Sequence, residues 1–170
     1  MDTKLIPLTK GRFAIVDVED FQWLSQKEWQ VHDKSKISYA LGKKWLSHTK
    51  GITLAMHREI FKRHNINIEG MDIDHINGNG LDNRKNNLRR CTNQENQFNT
   101  RSHKIGSSGY KGVSWNKVDK KWQVYLRTKS KVHFCGQFKD KKSAAIAYDL
   151  MAKKLHGNFA NLNFKPKDIE

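Results

Sequence analysis

The chain has 170 residues, of which 36% are apolar, including five tryptophans and eight phenylalanines; this suffices for one domain or two small ones and excludes global disorder. A formal net charge of +15 with a pI near 9.9 points to a polyanionic partner. The two cysteines, Cys91 and Cys135, form no Cys-x-x-Cys pair, which excludes a zinc ribbon and gives no sign of a disulfide framework, so a reducing compartment fits best.

In chain order, residues 13–16 (FAIV) predict a short apolar strand, and an acidic start at Asp17, Glu19 and Asp20 then leads into a helical turn with Phe21 and Leu24 on one face. Trp29 and Val31 predict a second strand, the alternation of Ile37, Tyr39 and Leu41 a third, and residues 51–54 a fourth, with Lys43, Lys44 and His48 in the connection. The expected product is one small antiparallel sheet. Residues 56–64 (MHREIFKRH) have helical spacing in Met56, Ile60 and Phe61. His57 and His64 on that helix read as packing or phosphate-contacting residues.

Residues 71–100 form the stretch around which the rest is organised. Asp74 and His75 are adjacent; a loop rich in Asn and Gly follows (Asn77, Gly78, Asn79, Gly80, Asp82, Asn83), then Asn87-Leu88-Arg89, then a polar helix carrying Asn96 and Asn99. The expected order is strand, loop, strand, helix. Residues 101–109 (RSHKIGSSG) have the composition of a flexible basic linker, with Arg101 and Lys104 available to phosphates. Beyond it, residues 110–115, 122–127 and 132–138 predict three strands and 143–156 a helix with Ser143 as N-cap, Gly157 as stop, and an apolar stripe running from Ala144 to Leu155. Trp122, Val124 and Leu126 fall on one face of the middle strand, and Gln123, Tyr125 and Arg127 on the other. The fold class expected is α+β: a small N-terminal antiparallel sheet, the central motif, then a three-stranded antiparallel sheet packed on one helix.

Charge is unevenly placed: +4 over residues 1–70, zero over 71–100 and +11 over 101–170. The C-terminal part is the electrostatic anchor, and the outer sheet face with Tyr125 and Arg127, flanked by Lys111, Lys129 and Lys131, has the chemistry to meet phosphates and base edges. No basic amphipathic helix with a large apolar face supports a membrane-surface role, no apolar run approaches membrane length, and the polar opening reads as no signal peptide. A soluble, cytoplasmic protein is expected.

The neutral central stretch suits a reaction centre for phosphodiester hydrolysis. A neutral imidazole, His75, can activate water, and a hard divalent cation on oxygen donors such as Asp74 and Asn96 can stabilise charge on phosphate and leaving oxygen. Asp74 and His75 diverge in a regular strand, so the strand must end or bend there. An EF-hand fails on spacing, because Ile76 falls on a ligand position in either register, and a structural zinc site needs more Cys or His. Spacing alone does not separate this chemistry from a plain polar hairpin followed by a capped helix.

The string Asp74-His75-Ile76-Asn77-Gly78, Asn83-Arg84-x-x-Asn87-Leu88-Arg89 and Glu95-Asn96 closely resembles the HNH endonuclease motif in its ββα-metal form, most of all the variety in phage and intron-encoded homing endonucleases, whose last position is Asn. The resemblance implies His75 as general base, Asp74 and Asn96 as ligands of catalytic Mg²⁺ (Mn²⁺ substituting), and Asn87 as the residue that orients the histidine and ties the strands. Loss of an imidazole ligand at the last position favours Mg²⁺ or Mn²⁺ over zinc. Residues 110–164 resemble a second family, the plant ethylene-response-factor domain of the APETALA group, through Tyr110-Lys111-Gly112-Val113, Trp122, Leu126-Arg127, Gly136-x-Phe138, Ala144-Ala145-x-Ala147-Tyr148-Asp149 and Ala160-x-Leu162-Asn163-Phe164. That resemblance implies major-groove reading of double-stranded DNA, with Lys111, Ser114, Asn116, Tyr125 and Arg127 as contacts. Ser114, Asn116 and Val132 stand where the plant domains have arginine, so the plant target does not transfer.

Together these imply a monomeric, site-selective homing endonuclease of phage or intron origin acting in a bacterial cell and nicking one strand. Its nuclease domain would span 1–100 with its core at 71–100, its DNA-binding domain 110–164, and its tail 165–170. The alternative is a non-catalytic DNA-binding regulator with a nuclease-like domain.

Overall fold

The computed structural model describes residues 2–34, 37–99, 106–128 and 130–164. The chain divides into two compact units, Met1–Asn93 and Gln94–Glu170, and the fold is mixed α+β with small antiparallel sheets.

In the first unit, β1 (Thr3–Pro7) and β2 (Phe13–Asp17) form an antiparallel hairpin, followed by α1 (Val18–Leu24). The strands β3 (Trp29–Lys34), β4 (Ile37–Trp45) and β5 (Gly51–Ala55) form a separate antiparallel sheet in the order β3-β4-β5, and α2 (Met56–Arg63) follows. The single N-terminal sheet expected from sequence is therefore two. The reason is β1, where only Ile6 is buried; its weak alternation conceals a strand, and that strand takes β2 as its partner. β4 also runs to Trp45, so Lys43 and Lys44 are strand residues instead of connection residues.

One core joins these layers. Ile6, Ala14 and Val16 of the hairpin, Leu24, Trp29 and Val31, and Met56, Ile60 and Phe61 of α2 are all buried in it, together with Ile73, Leu81 and Leu88 of the central stretch. Burying side chains of this size contributes about 1.5–3 kcal/mol each, so the central stretch is held by the same apolar mass as its support. The indole of Trp29 donates to Leu24 O at 2.9 Å, which leaves its one polar atom satisfied inside that core.

The central stretch follows the expected order. β6 (Asp72–His75) pairs antiparallel with β7 (Leu88–Cys91), Asp74 opposite Arg89 and His75 opposite Leu88. β6 ends at His75, as bringing both side chains to one site requires.

In the second unit, α3 (Asn93–Asn99) is the polar helix carrying Asn96. The strands β8 (Val113–Asn116), β9 (Lys121–Arg127) and β10 (Val132–Phe138) form an antiparallel sheet with β9 in the middle, packed on α4 (Lys141–His156). The cap of α4 is Asp140, whose carboxylate accepts from Ser143 N at 2.7 Å; Ser143 lies one turn inside. An aspartate three residues ahead outcompetes serine because it also brings charge to the positive end of the helix. Leu155 is exposed, so the apolar stripe ends at Ala152. Ala144, Ala145 and Ala152 are buried, and their small size lets α4 lie close on Val124 and Leu126. Ser108, within the stretch expected as linker, is buried with its hydroxyl donating to Val113 O at 2.8 Å. Lys129, Arg101 and Lys104 lie outside the described residues.

Candidate active site and DNA-contact face

The asparagines of the loop between β6 and β7 bond to its backbone. Asn77 Oδ1 accepts from Asn79 N, Asn79 Oδ1 from Leu81 N, and Gly78 N donates to His75 O. Asn87 closes the loop at its base: its Oδ1 accepts from Asn77 N at 3.0 Å, its Nδ2 donates to Asp82 O at 2.7 Å, and its carbonyl accepts from Ile76 N.

The loop is also pinned from outside. Ile15 of β2 donates to Leu81 O and accepts from Asn83 N, both at 2.8 Å. A Cβ on Gly80 would lie 2.5 Å from Ser38 O and 2.8 Å from the Tyr39 ring, so β4 presses directly on the loop. Asp82 is buried, and its carboxylate is held by Arg84 Nε at 2.7 Å and Nη2 at 2.6 Å and by Asn77 Nδ2 at 2.8 Å. Burial raises the pKa of this group, but the Arg84 and Asn77 bonds outweigh it and hold Asp82 below the usual aspartate value.

Asp74 and His75 are both buried at the strand end. Arg89, opposite Asp74 in the ladder, donates to its Oδ2 from Nε at 2.8 Å and Nη2 at 2.6 Å, which fixes the carboxylate's orientation. Around His75 gather Asn83 and Tyr39, which sequence reading left without a role, and His57, which it read as a packing or phosphate-contacting residue. Asn83, fully buried, places Oδ1 3.4 Å from His75 Nε2. His57 stands edge-on to His75 with ring centroids 5.2 Å apart, and Tyr39 packs tilted on both, at 6.1 Å and 5.9 Å. Burial pushes His75 below its ordinary value against the Asn83 bond and the charges of Asp74 and Asp82, so the imidazole is neutral near pH 7. Burial likewise takes His57 to about 3, with the charges of His75 and Arg58 in the same direction. Tyr39 is signalled in sequence only as one letter of an alternating strand, and His57 only as a lone helical histidine, whereas Asn83 lies inside the quoted motif.

Asn96 is on α3, in the second unit, where Phe98 stacks on His156 at 3.8 Å with the planes 4° apart and Asn161 Nδ2 donates to Asn99 O at 3.0 Å. Among the described residues, one group of three could hold a cation by proximity, Glu19, Asp20 and His64, with ligand atoms within 4.8 Å of one another. It is separate from Asp74 and already carries a cation, since Lys85 pairs with Glu19 and His64 Nε2 meets Asp20 Oδ1 at 2.8 Å. With Lys85 N donating to Asp17 Oδ2, it serves as a polar bolt between α1, the end of α2 and the turn that opens β7.

On the C-terminal sheet, the register brings Ser114, Gln123, Tyr125 and Arg127 onto one face, with Phe134 beside Tyr125 at 5.3 Å between centroids. Tyr125, Arg127, Ser114 and Lys131 are exposed, as a contact surface requires. Asn116 caps the β8–β9 turn, accepting from Val118 N and Asp119 N and donating to Asp119 Oδ2. Lys111 is half-buried; its backbone is clamped by Asn163, and burial lowers its pKa against the pull of Asp149. No helix among the described residues is long and apolar enough to cross a membrane.

Comparison with known proteins bears on the same stretch. A sequence model of the HNH endonuclease family matches residues 54–98, from the end of β5 through α2, the β6–β7 hairpin and most of α3. An uncharacterized HNH endonuclease of Acanthamoeba polyphaga mimivirus is 32% identical over 161 residues, covering 91% of this chain and 76% of its own length. Protein 3.8 of Escherichia phage T7 is 33% identical over 94 residues, 54% of this chain and 75% of that protein. A relative 32% identical and matched over three quarters of its length, together with the family model's match to the stretch that holds Asp74 and His75, places this chain in the HNH endonuclease family of nucleases.

Proposed function

We propose that this chain is a site-selective, metal-dependent DNA endonuclease of the homing type, with His75 as general base and Asp74 and Asn96 as ligands of the metal. The observation that carries this reading is the neutral, buried imidazole of His75 at the end of β6, next to a carboxylate whose orientation Arg89 fixes. A carboxylate and an amide oxygen are hard donors and fit Mg²⁺ or Mn²⁺ better than zinc. Such an ion would stabilise negative charge on the scissile phosphate and on the departing 3′ oxygen. With Nε2–H directed at Asn83 Oδ1, Nδ1 of His75 is the nitrogen that takes a proton from the attacking water. Asn87 keeps the loop closed beneath it.

Residues 110–164 act as the address, a three-stranded sheet on one helix of the ethylene-response-factor kind, read onto double-stranded DNA through Ser114, Tyr125, Arg127 and Lys131. Residues 1–100 form the nuclease part and 101–109 the join. One site per chain makes a nick in one strand by a monomer the product, in the cytoplasm of a bacterial cell.

Supercoiled plasmid incubated with the protein and Mg²⁺, then with EDTA, tests the activity and the metal together. His75→Ala should abolish cutting and keep DNA binding; cutting at the wild-type rate refutes the assignment. Linear product at first turnover from protein shown to be monomeric would refute the nick. Arg127→Ala should relax sequence preference at a cost of about 1–3 kcal/mol if it reads a base, and weaken all sequences equally if it holds a phosphate.

A further inference from the structure

The tip of the β4–β5 hairpin is built unlike the rest of the first unit. Trp45 is 63% exposed, Leu46 53% and Ile52 41%, three exposed apolar side chains at one hairpin end. Around them stand Lys43, Lys44 and Lys50, with no acidic residue between 43 and 58. The tip is also ordered by bonds: Trp45 pairs with Gly51, Leu46 N donates to Lys50 O at 2.8 Å, and Lys50 N to Ser47 Oγ at 3.1 Å. Gly51 is the residue that lets the indole lie flat across the hairpin, since a Cβ there would meet the Trp45 ring at 3.2 Å. Lys43 Nζ lies 5.7 Å from the centre of that ring. An exposed tryptophan costs free energy in water unless something covers it, and the ammonium of Lys43 covers only one side.

Direction decides what the covering partner is. Side chains alternate along a strand, so Tyr39, Leu41, Lys43 and Trp45 share one face of β4. Tyr39 is the residue that packs on His75. The same strand face therefore begins at His75 and ends at Trp45, six residues on, about 20 Å at about 3.3 Å per residue.

We infer that this hairpin end is a second DNA contact, in which Lys43 on the Trp45 face, Lys44 on the opposite face and Lys50 at the turn meet backbone phosphates and Trp45 packs against sugars and base edges of duplex DNA about six base pairs from the phosphate at His75. The inference rests on the proposed nuclease reading, because that reading places the scissile phosphate at His75. A basic rim around an apolar centre is complementary to a duplex, whose groove offers phosphates on both sides of an apolar sugar wall. It gives the protein a grip on the nuclease side of the cut in addition to that of the C-terminal sheet. All four side chains are exposed, so replacing them leaves the core intact.

The test uses the full chain, a 40-base-pair duplex labelled for fluorescence anisotropy, and the plasmid assay with Mg²⁺. The combined Lys43→Ala, Lys44→Ala, Lys50→Ala variant should bind the duplex at least tenfold more weakly at moderate salt. Its slope of log affinity against log salt should be shallower by about two to three, the loss expected for three phosphate contacts. Trp45→Ala should weaken binding without changing that slope, and on a fragment carrying a mapped wild-type nick both variants should lose backbone protection about six base pairs from it. If the wild type cuts plasmid and the variants match it in affinity, slope and protection, the inference fails while the nuclease reading stands. If the wild type neither binds duplex nor cuts, both fall together. If Trp45→Ala leaves DNA affinity intact and instead turns a dimer into a monomer in sedimentation, the surface is a self-association interface and the inference is overturned.

Discussion

The imidazole of His57 stands edge-on to that of His75, 5.2 Å between centroids and 85° between planes, so α2 delivers one neutral ring against another at the end of β6. His57 Nδ1 is buried without a hydrogen-bond partner among the described residues, and burial takes the ring to about 3. The sign of the consequence is fixed: above about pH 6.5 neither folded nor unfolded His57 is charged and it contributes nothing. As pH falls from about 6.5 towards 3 the unfolded chain takes up a proton that the folded chain refuses, and stability falls by up to about 1.4 kcal/mol per unit. Urea unfolding of wild type and His57→Phe at pH 7.5, 6, 5 and 4 checks this. The variant should lose less stability over the acid range than the wild type, and parallel curves would show that His57 protonates freely in the fold.

Much of this site was legible because its chemistry is local in sequence. Asp74, His75, Asn83 and Asn87, which the fold gathers at the end of β6 and its loop, sit close together within one stretch, and the alternation in Trp122 to Arg127 sorts core from surface in β9. What the sequence hid is non-local. Tyr39 and His57 reach His75 from elements 36 and 18 residues away, respectively, and nothing in their neighbours marks them. β1 was missed because a strand with one buried residue has no period to detect. The clamp of Asn163 on the backbone of Lys111, across 52 residues, is likewise a bond that only tertiary placement determines.

Gly80 carries the contact between the loop and β4, and its substitution should be felt at His75. A Cβ there would fall 2.5 Å from Ser38 O and 2.8 Å from the Tyr39 ring, and a backbone carbonyl cannot swing away as a flexible side chain can. Gly80→Ala should cost about 1–3 kcal/mol through overpacking. It should also push Tyr39 off His75 and slow plasmid cutting more than the loss of folded protein explains. A variant of wild-type melting temperature and rate would show that the loop and β4 move apart without cost.

Asp82 tests whether the loop's polar frame matters as much as its packing. Its carboxylate is buried yet held below the usual aspartate value, so the group stabilises the fold above its unfolded pKa of about 3.9 and loses that contribution as pH falls through the lower folded value. Asp82→Ala strips four bonds, from Arg84 N, Nε and Nη2 and from Asn77 Nδ2. Hydrogen bonds to a charged group contribute about 1.5–3 kcal/mol, and a loss in that range by urea unfolding at pH 7 is expected. The deficit relative to wild type should shrink below about pH 4, where the wild-type carboxylate begins to protonate in the unfolded chain. A deficit constant down to pH 2 would mean that shape and not charge holds the loop.

Asn83 has the sharpest division of effects. It is fully buried, its backbone N–H is taken by Ile15 O, its Oδ1 lies 3.4 Å from His75 Nε2, and its Nδ2 has no hydrogen-bond partner among the described residues. A buried amide hydrogen left unsatisfied costs about 1–3 kcal/mol, so an apolar residue of similar volume should be tolerated or even stabilising at this position. The same change removes the acceptor that faces the imidazole. Asn83→Leu should therefore keep or raise the melting temperature and keep DNA affinity, yet lower the cutting rate. A fall of about 100-fold is expected if the ring is displaced by about 1 Å. Stability and activity moving in opposite directions is the signature of a positioning residue. If both fall together, Asn83 is part of the frame that holds the loop, and if neither moves, His75 is oriented by other contacts.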